Sequence, residues 1–148
     1  EGKLIDDEFW TYQVFGQAKK IAKIPNVLYY YFQGNTSIMR SPFSLKRLDA
    51  LDAKLARLKY VEVRFPRLMD VAKWNLWSSC IYAMQQSIQY LSVNERKIAQ
   101  QKIEKTLLQI QPIQCAHGIS IKQRIWFYFS KISLNFTCRL RNFLKVGL

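Results

Sequence analysis

From Ser44 onward, apolar side chains recur at intervals of three and four residues, which is the spacing of helices that bury one face. The pattern is interrupted at Pro66, at the capping-box sequence of residues 92–95, and at Pro112. It therefore predicts helices from Ser44, Pro66 and residue 92, and a last helix from near Ile121. The side chains predicted to face the core are Leu45, Leu48, Leu51, Leu55 and Leu58, then Val71, Trp74, Trp77 or Ser78, Ile81, Met84, Ile88 and Leu91, then Ala99, Ile103, Leu107 and Ile110.

The last predicted helix combines an apolar ridge with positive charge. The chain carries 23 lysines and arginines against 10 acids, a net charge of +13, and no acid follows Glu104. An anionic membrane surface is the partner we expect for residues 121–148. An ordinary packed helix with a solvated basic face is the next alternative, and nucleic-acid binding is the least favoured. The ridge consists of Ile125, Phe129, Ile132, Phe136, Leu140 and Phe143.

Acidic residues open the N-terminal helical pattern and basic residues close it, as the helix dipole favours. Asp6, Asp7 and Glu8 stand at its start, and Lys19 and Lys20 follow its end. A carboxylate at such a helix start can accept a proton from a hydroxyl nucleophile. The alternative is that these acids only cap the helix, and the spacing alone favours that alternative.

The segment that follows has the composition of a small β element. Residues 21–24 predict a short strand, Pro25 and Asn26 a tight turn, and residues 27–33 a second strand rich in β-branched and aromatic side chains. The aromatic side chains and the polar loop after Gly34 can bind a sugar and a phosphate, although a core strand followed by a turn is the simpler interpretation. The predicted fold class is therefore mainly α with a small β element.

The remaining reactive residue types predict no metal site. Cys80, Cys115 and Cys138 are far apart and form no paired motif, so we expect reduced cysteines rather than a zinc site or a disulfide framework. His117 is the only histidine, and we interpret it as a surface residue. Residues 74–91 contain too many amides for a transmembrane span. The chain begins at Glu1 without a signal-peptide pattern, so we expect a piece of a longer cytoplasmic protein.

Taken in order, several short motifs resemble the end of the catalytic domain of bacterial family 2 glycosyltransferases. They are Asp-Asp-Glu-Phe from residue 6, Ala-Lys-Lys-Ile from residue 18, Leu-Tyr-Tyr-Tyr from residue 28, and Ser-Ile from residue 37. The resemblance covers about residues 2–58. It implies the end of a GT-A fold, a Rossmann-like α/β domain that binds a nucleotide-diphosphate sugar and a divalent metal, Mg²⁺ or Mn²⁺. The metal-binding Asp-x-Asp motif of the family lies upstream of this chain.

The resemblance also implies roles for individual residues. Asp7 matches the general base of inverting members, with Asp6 and Glu8 as supporting acids. Relatives often carry Arg or His where this chain has Phe32 and Gly34, which leaves Ser37 and Arg40 as donor-binding candidates.

These observations predict a glycosyltransferase fragment in three parts. Residues 1–42 would end the catalytic domain, residues 43–111 would form a helical extension, and residues 112–148 would form a basic amphipathic C-terminal helix. The parent enzyme would build a cell-surface polysaccharide or a lipid-linked oligosaccharide at the inner face of the bacterial membrane, and the fragment alone would be inactive. The alternative is a non-enzymatic basic helical module that binds a membrane surface or nucleic acid.

Overall fold

A computed structural model describes residues 6–30, 42–114 and 118–147 of the chain. Among these residues 74% are helical and none forms a strand. Short 3₁₀ turns at Asp6–Phe9, Leu45–Leu48 and Pro66–Leu68 precede the first three helices. The α-helices are α1 (Thr11–Gln17), α2 (Asp49–Arg64), α3 (Met69–Tyr90), α4 (Val93–Gln109), α5 (Ile121–Ile132) and α6 (Leu134–Phe143).

The long helix α3 forms the centre of the bundle, because α2, α4 and α6 all pack on it. Its buried side chains occupy a broad arc of the helix surface, and exposed side chains, among them Val71, Asn75 and Tyr82, lie on the remaining side. The predicted inward faces of α2, α3 and α4 are largely confirmed, and Val71, which is exposed, is the exception. The buried side chains of α3 are Trp74, Leu76, Trp77, Cys80, Ile81, Ala83, Met84, Gln85 and Ser87.

Local hydrogen bonds define the junction between α3 and α4. The predicted capping box is confirmed: the Ser92 hydroxyl accepts from the Glu95 N–H, and the Glu95 carboxylate accepts from the Ser92 N–H. The Ser92 hydroxyl also donates to the Glu95 Oε2 at 2.6 Å, and this bond, together with a smaller effect of the Ser92 N–H, lowers the pKa of the Glu95 carboxyl. The Arg96 guanidinium donates to the carbonyl oxygens of Ile88 and Leu91 and so caps the C-terminal end of α3. The chain therefore reverses direction here without leaving these helix-end groups unpaired.

The predicted single C-terminal helix is interrupted at Ser133, which has an extended backbone and caps α6 through its hydroxyl group. The Ser133 hydroxyl accepts from the Phe136 N–H, and this local bond competes with continuation of the helix. The break separates α5 from α6, which contact one another, and α6 also packs on α3. The basic C-terminal segment is therefore a pair of helices joined at Ser133, which we call the α5–α6 hairpin, rather than one rod.

Two sets of contacts hold this hairpin on α3. Phe127 packs against both Trp74 and Trp77, with its ring centroid 5.2 Å from each, and the two indoles also contact one another at 4.5 Å. The Trp77 indole N–H donates to the Ser130 hydroxyl at 3.2 Å. An aromatic cluster of this kind buries a large apolar area and also satisfies the polar edge of the indole.

The second set of contacts is a polar network at the end of α6. Gln85 is fully buried, and its amide nitrogen donates to the Asn142 side chain at 2.9 Å and to the Val146 carbonyl at 3.0 Å. Its amide oxygen accepts from the Arg141 Nε at 3.0 Å, and the Asn142 amide donates to the Gln85 carbonyl at 3.0 Å. Every polar atom of the buried amide group has a partner, so the network specifies how α6 docks on α3.

The predicted strands are absent from the part of residues 21–33 that is described. Residues 21–30 carry neither helix nor strand, and Tyr30, with 89% of its surface exposed, contrasts with the buried position that a strand pair would need. A β-rich sequence forms a strand only when another strand satisfies its backbone groups, and no described residue does so. Residues 31–33 of the second predicted strand lie outside the described residues.

The two described cysteines are buried and reduced. Burial raises the pKa of the Cys80 and Cys138 thiols to about 12, against smaller opposing effects of Lys54 and Arg141. The prediction of reduced cysteines is confirmed for these two residues, whereas Cys115 and His117 lie outside the described residues.

We expect both thiols to be inert in the folded chain. In a Cys115→Ser variant at pH 8, a disulfide reagent should label Cys80 and Cys138 about 10³-fold more slowly than in denaturant, because the thiolate is the reactive form and a pKa near 12 keeps it scarce. Spectrophotometric titration of released thiol measures the rates. One equivalent that reacts rapidly before unfolding would contradict the burial of one of these thiols.

Candidate functional site

The candidate site begins at the 3₁₀ turn of residues 6–9, which carries the acidic cluster. Asp6 begins the turn, and the placement of its side chain is outside the described part of the structure. The Asp7 Oδ1 accepts from the Glu8 N–H at 3.0 Å, and the Asp7 carbonyl accepts from the Thr11 hydroxyl at 2.7 Å. These bonds orient the exposed Asp7 carboxylate at the entrance to α1.

The acidic turn and α2 together form an open cleft of about 290 Å³. Asp7 and Glu8 contribute carboxylates, Tyr12 and Phe15 of α1 contribute rings, and Arg57 of α2 contributes a cation. Carboxylates beside aromatic side chains suit a polyhydroxylated ligand, because hydroxyls donate to the carboxylates and the apolar face of a sugar ring packs on an aromatic ring.

The two acids of the cleft have different electrostatic surroundings. An Arg57 Nη donates to the Glu8 Oε2 at 3.5 Å, in a pair whose side chains are both partly exposed. Lys54 stands one turn before Arg57 on α2, and burial lowers its pKa, with a further lowering by the charge of Arg57 and an opposing effect of Glu8. Glu8 therefore faces α2 cations, while Asp7 lies at the exposed side of the cleft and can meet a ligand.

A single tyrosine of α2, Tyr60, packs against α1. The Tyr60 ring lies edge-on to the Tyr12 ring at 5.2 Å and tilted against the Phe65 ring at 6.1 Å. Gly16 lies directly on the Tyr60 hydroxyl, where a Cβ atom would collide. The helix α1 buries no side chain of its own, so this close approach and the Glu8–Arg57 pair position the acidic turn.

We expect Gly16→Ala to loosen α1 from α2, although alanine ordinarily stabilises a helix interior by about 0.5–1 kcal/mol relative to glycine. The new methyl group would collide with the Tyr60 hydroxyl and push the short helix away. Hydrogen exchange of the amides of residues 11–17 measures the loosening as a loss of protection.

The matched control is the double variant Gly16→Ala with Tyr60→Phe. The Tyr60 hydroxyl is buried and has no hydrogen-bond partner in the described residues, so its removal costs little and makes room for the methyl group. Protection of residues 11–17 should then return to at least the wild-type level. If Gly16→Ala protects these amides on its own, the close approach does not hold α1.

The structure brings together only part of the predicted site. Asp7 and Glu8 share the cleft, whereas Ser37 and Arg40 lie outside the described residues. The sequence pattern gave no role in the site to Tyr12, Phe15 or Arg57. No local signal points to Arg57, because it stands 49 residues after its partner Glu8.

Comparisons with family models, with curated proteins and with solved structures find no match for this chain. Within the described ranges, no helix is both long and apolar enough to cross a membrane. Nor do three or more potential metal ligands from His, Cys, Asp and Glu come together there. The cleft and the exposed surfaces of the bundle are therefore the features of the chain that bear on its function.

Proposed function

We propose that this chain is the acceptor-side part of an inverting, family 2-like glycosyltransferase in which Asp7 is the general base. The observation that carries the proposal is the cleft that joins the Asp7 carboxylate to two aromatic side chains and an arginine. Asp7 comes from the acidic helix start whose sequence resembles that family, and its carboxylate is exposed towards the cleft. The small and open cleft suits one sugar ring of an acceptor chain.

In the proposed reaction, the Asp7 carboxylate takes the proton of an acceptor hydroxyl as the hydroxyl oxygen attacks the anomeric carbon of the donor. A new carbon–oxygen bond forms on one face of the sugar, and the bond to the nucleotide diphosphate breaks on the other face. The leaving diphosphate takes the electron pair of that bond. Tyr12 and Phe15 would hold the acceptor ring so that its hydroxyl reaches Asp7, which supplies the proximity part of catalysis.

Glu8 would serve a positioning role. Its pairing with Arg57 fixes the turn on α2, and this holds the neighbouring Asp7 at the edge of the cleft. Asp6 would be a second supporting acid, as the family resemblance implies.

The donor and the metal belong to the upstream half of the proposed enzyme. A divalent metal, Mg²⁺ or Mn²⁺, would stabilise the charge of the leaving diphosphate when bound. Asp7 and Glu8 supply too few ligands for such a site in the described part of the chain. Ser37 and Arg40 remain proposed contacts to the donor.

The test uses the full-length protein that contains this chain, incubated with labelled nucleotide-diphosphate sugars, Mg²⁺ or Mn²⁺, and membrane extract as the acceptor source. We expect transfer of label to a polysaccharide or lipid fraction, and loss of transfer in Asp7→Asn. A full-length protein whose coding sequence starts near Glu1, without an upstream nucleotide-binding βαβ unit and an Asp-x-Asp motif, would instead favour the non-enzymatic helical module.

A further inference from the structure

The outward face of the α5–α6 hairpin is an apolar surface without a partner in the described structure. It includes the most exposed large apolar side chains of the hairpin, Ile132 at 84% and Phe143 at 82%. We call this surface the outer ridge. Its members are Ile121, Ile125, Tyr128, Phe129 and Ile132 of α5, with Phe136, Phe143 and Leu144 of α6 and its end.

The outer ridge is not the face by which the hairpin packs on the bundle. Helical spacing puts Ile121, Ile125 and Ile132 on one stripe of α5, and it puts Phe127 on the far side of that helix. Phe127 is the residue that enters the aromatic cluster of α3, and Thr137 and Cys138 are the buried residues of α6. The hairpin is therefore apolar on two faces, and one of these faces packs on α3.

Basic side chains flank the outer ridge. Lys122 stands on one side of the α5 stripe and Arg124 on the other, and both are exposed. Lys131 is also exposed, but its Nζ lies 4.6 Å from the centroid of the Phe127 ring, towards the inner side of the helix. Arg139 and Lys145 add exposed positive charge in and after α6. No acidic residue occurs anywhere in the chain after Glu104 to neutralise them.

One basic side chain of α6 does not lie on this surface in the structure. Arg141, which the sequence pattern counts with the others, turns inward, donates to the buried Gln85 amide, and lies 5.3 Å from the centroid of the Trp126 ring. Its role is to hold α6 on α3, so the charge available to a partner comes from the residues that flank the ridge.

We propose that the outer ridge docks on an anionic membrane surface, with its aliphatic and aromatic side chains at the headgroup–acyl boundary and the flanking bases over lipid phosphates. An apolar stripe between basic flanks is the pattern of helices that lie in a membrane interface. A nucleic acid would contact the lysines and arginines of this surface but would leave the isoleucines without a contact. Because the inner face of the hairpin is already packed, the docking surface is preformed. The proposal is independent of the transferase function proposed above.

The test is flotation of the 148-residue chain with lipid vesicles. Vesicles of phosphatidylcholine alone are compared with vesicles that contain phosphatidylglycerol, at low and at high salt. We expect at least tenfold stronger binding to the anionic vesicles at low salt, with a loss of that advantage at high salt. The helix content by circular dichroism should not change on binding, because the surface is preformed.

Two pairs of matched variants locate the surface. Ile132→Asp should lower binding to anionic vesicles at least tenfold, whereas Val63→Asp should not, because Val63 is 80% exposed on α2 and the substitution introduces the same charge away from the ridge. The double variant Lys122→Gln with Arg124→Gln should weaken binding more than Lys59→Gln with Arg64→Gln, which removes the same charge from exposed positions of α2.

Four results would overturn the proposal. Equal binding to neutral and anionic vesicles would remove its electrostatic part, and equal losses in Ile132→Asp and Val63→Asp would remove the outer ridge as the docking surface. Lipid-free oligomers that Ile132→Asp dissociates, as measured by light scattering, would assign the ridge to a second copy of the chain. Binding to duplex DNA or RNA in place of vesicles, with the same dependence on Ile132, would assign it to nucleic acid.

Discussion

Replacing Asp7 by Asn in the full-length protein is expected to lower the rate of sugar transfer by about 10²- to 10⁴-fold, which is the usual contribution of a general base. The amide keeps the shape of the carboxyl group and can still accept the Glu8 N–H at its oxygen. It cannot accept a proton from the acceptor hydroxyl, which must then attack without assistance. Initial rates with a labelled nucleotide-diphosphate sugar, taken over a range of acceptor concentrations, measure the effect.

The kinetic pattern distinguishes a base from a binding residue. Loss of an interaction made only in the transition state lowers kcat and kcat/KM equally, whereas loss of a binding contact raises the KM for acceptor. Asp70→Asn is the matched control, because it removes the same charge from an exposed position in the first turn of α3. It should leave the rate unchanged. Transfer by Asp7→Asn at the wild-type rate, with the fold intact, would show that Asp7 is not the base.

The largest effect on stability is expected for Phe127→Ala, which should reduce the free energy of unfolding by about 3–5 kcal/mol. Phe127 is only 2% exposed and packs against both Trp74 and Trp77, so its removal leaves a cavity where the α5–α6 hairpin meets α3. The two indole rings are part of a close-packed core and can fill such a cavity only in part. Urea denaturation followed by circular dichroism and by tryptophan fluorescence measures the loss.

Phe129→Ala is the control for this prediction because it makes the same chemical change two residues later on the same helix. Phe129 is 42% exposed on the outer ridge, and we expect its truncation to cost less than about 1 kcal/mol. The comparison cancels the effect of alanine on helix propensity. Similar losses of stability in the two variants would contradict the packing direction of α5.

The elements from residue 44 to residue 110 could be predicted from the sequence because their signals are local. The period of the leucines in α2, the proline before α3, and the Ser92–Glu95 box each involve residues within a few positions of one another. The capping box and the buried faces of α2 and α4 are confirmed. The acidic helix start was also visible in the sequence.

The side of α5 that is buried could not be predicted. The helix carries apolar side chains on two faces, but periodicity identified only the stripe through Ile125 and Ile132 and gave no place to Phe127. The choice depends on Trp74 and Trp77, which lie about fifty residues earlier and are brought opposite Phe127 only by the fold. For the same reason, the sequence alone does not show that Arg141 turns towards Gln85.

The sequence by itself determined the helical class of the chain, most of the helix boundaries, the position of the acidic cluster and the excess of positive charge, because these follow from composition and from short-range periodicity. Only the tertiary structure decided that Arg57 meets Glu8, that the predicted strand residues 21–30 find no partner among the described residues, and that the last apolar ridge faces outward. Each of these depends on a contact between segments that are distant in the sequence. The free energy of such a contact depends on both segments, so neither segment alone determines whether the contact forms.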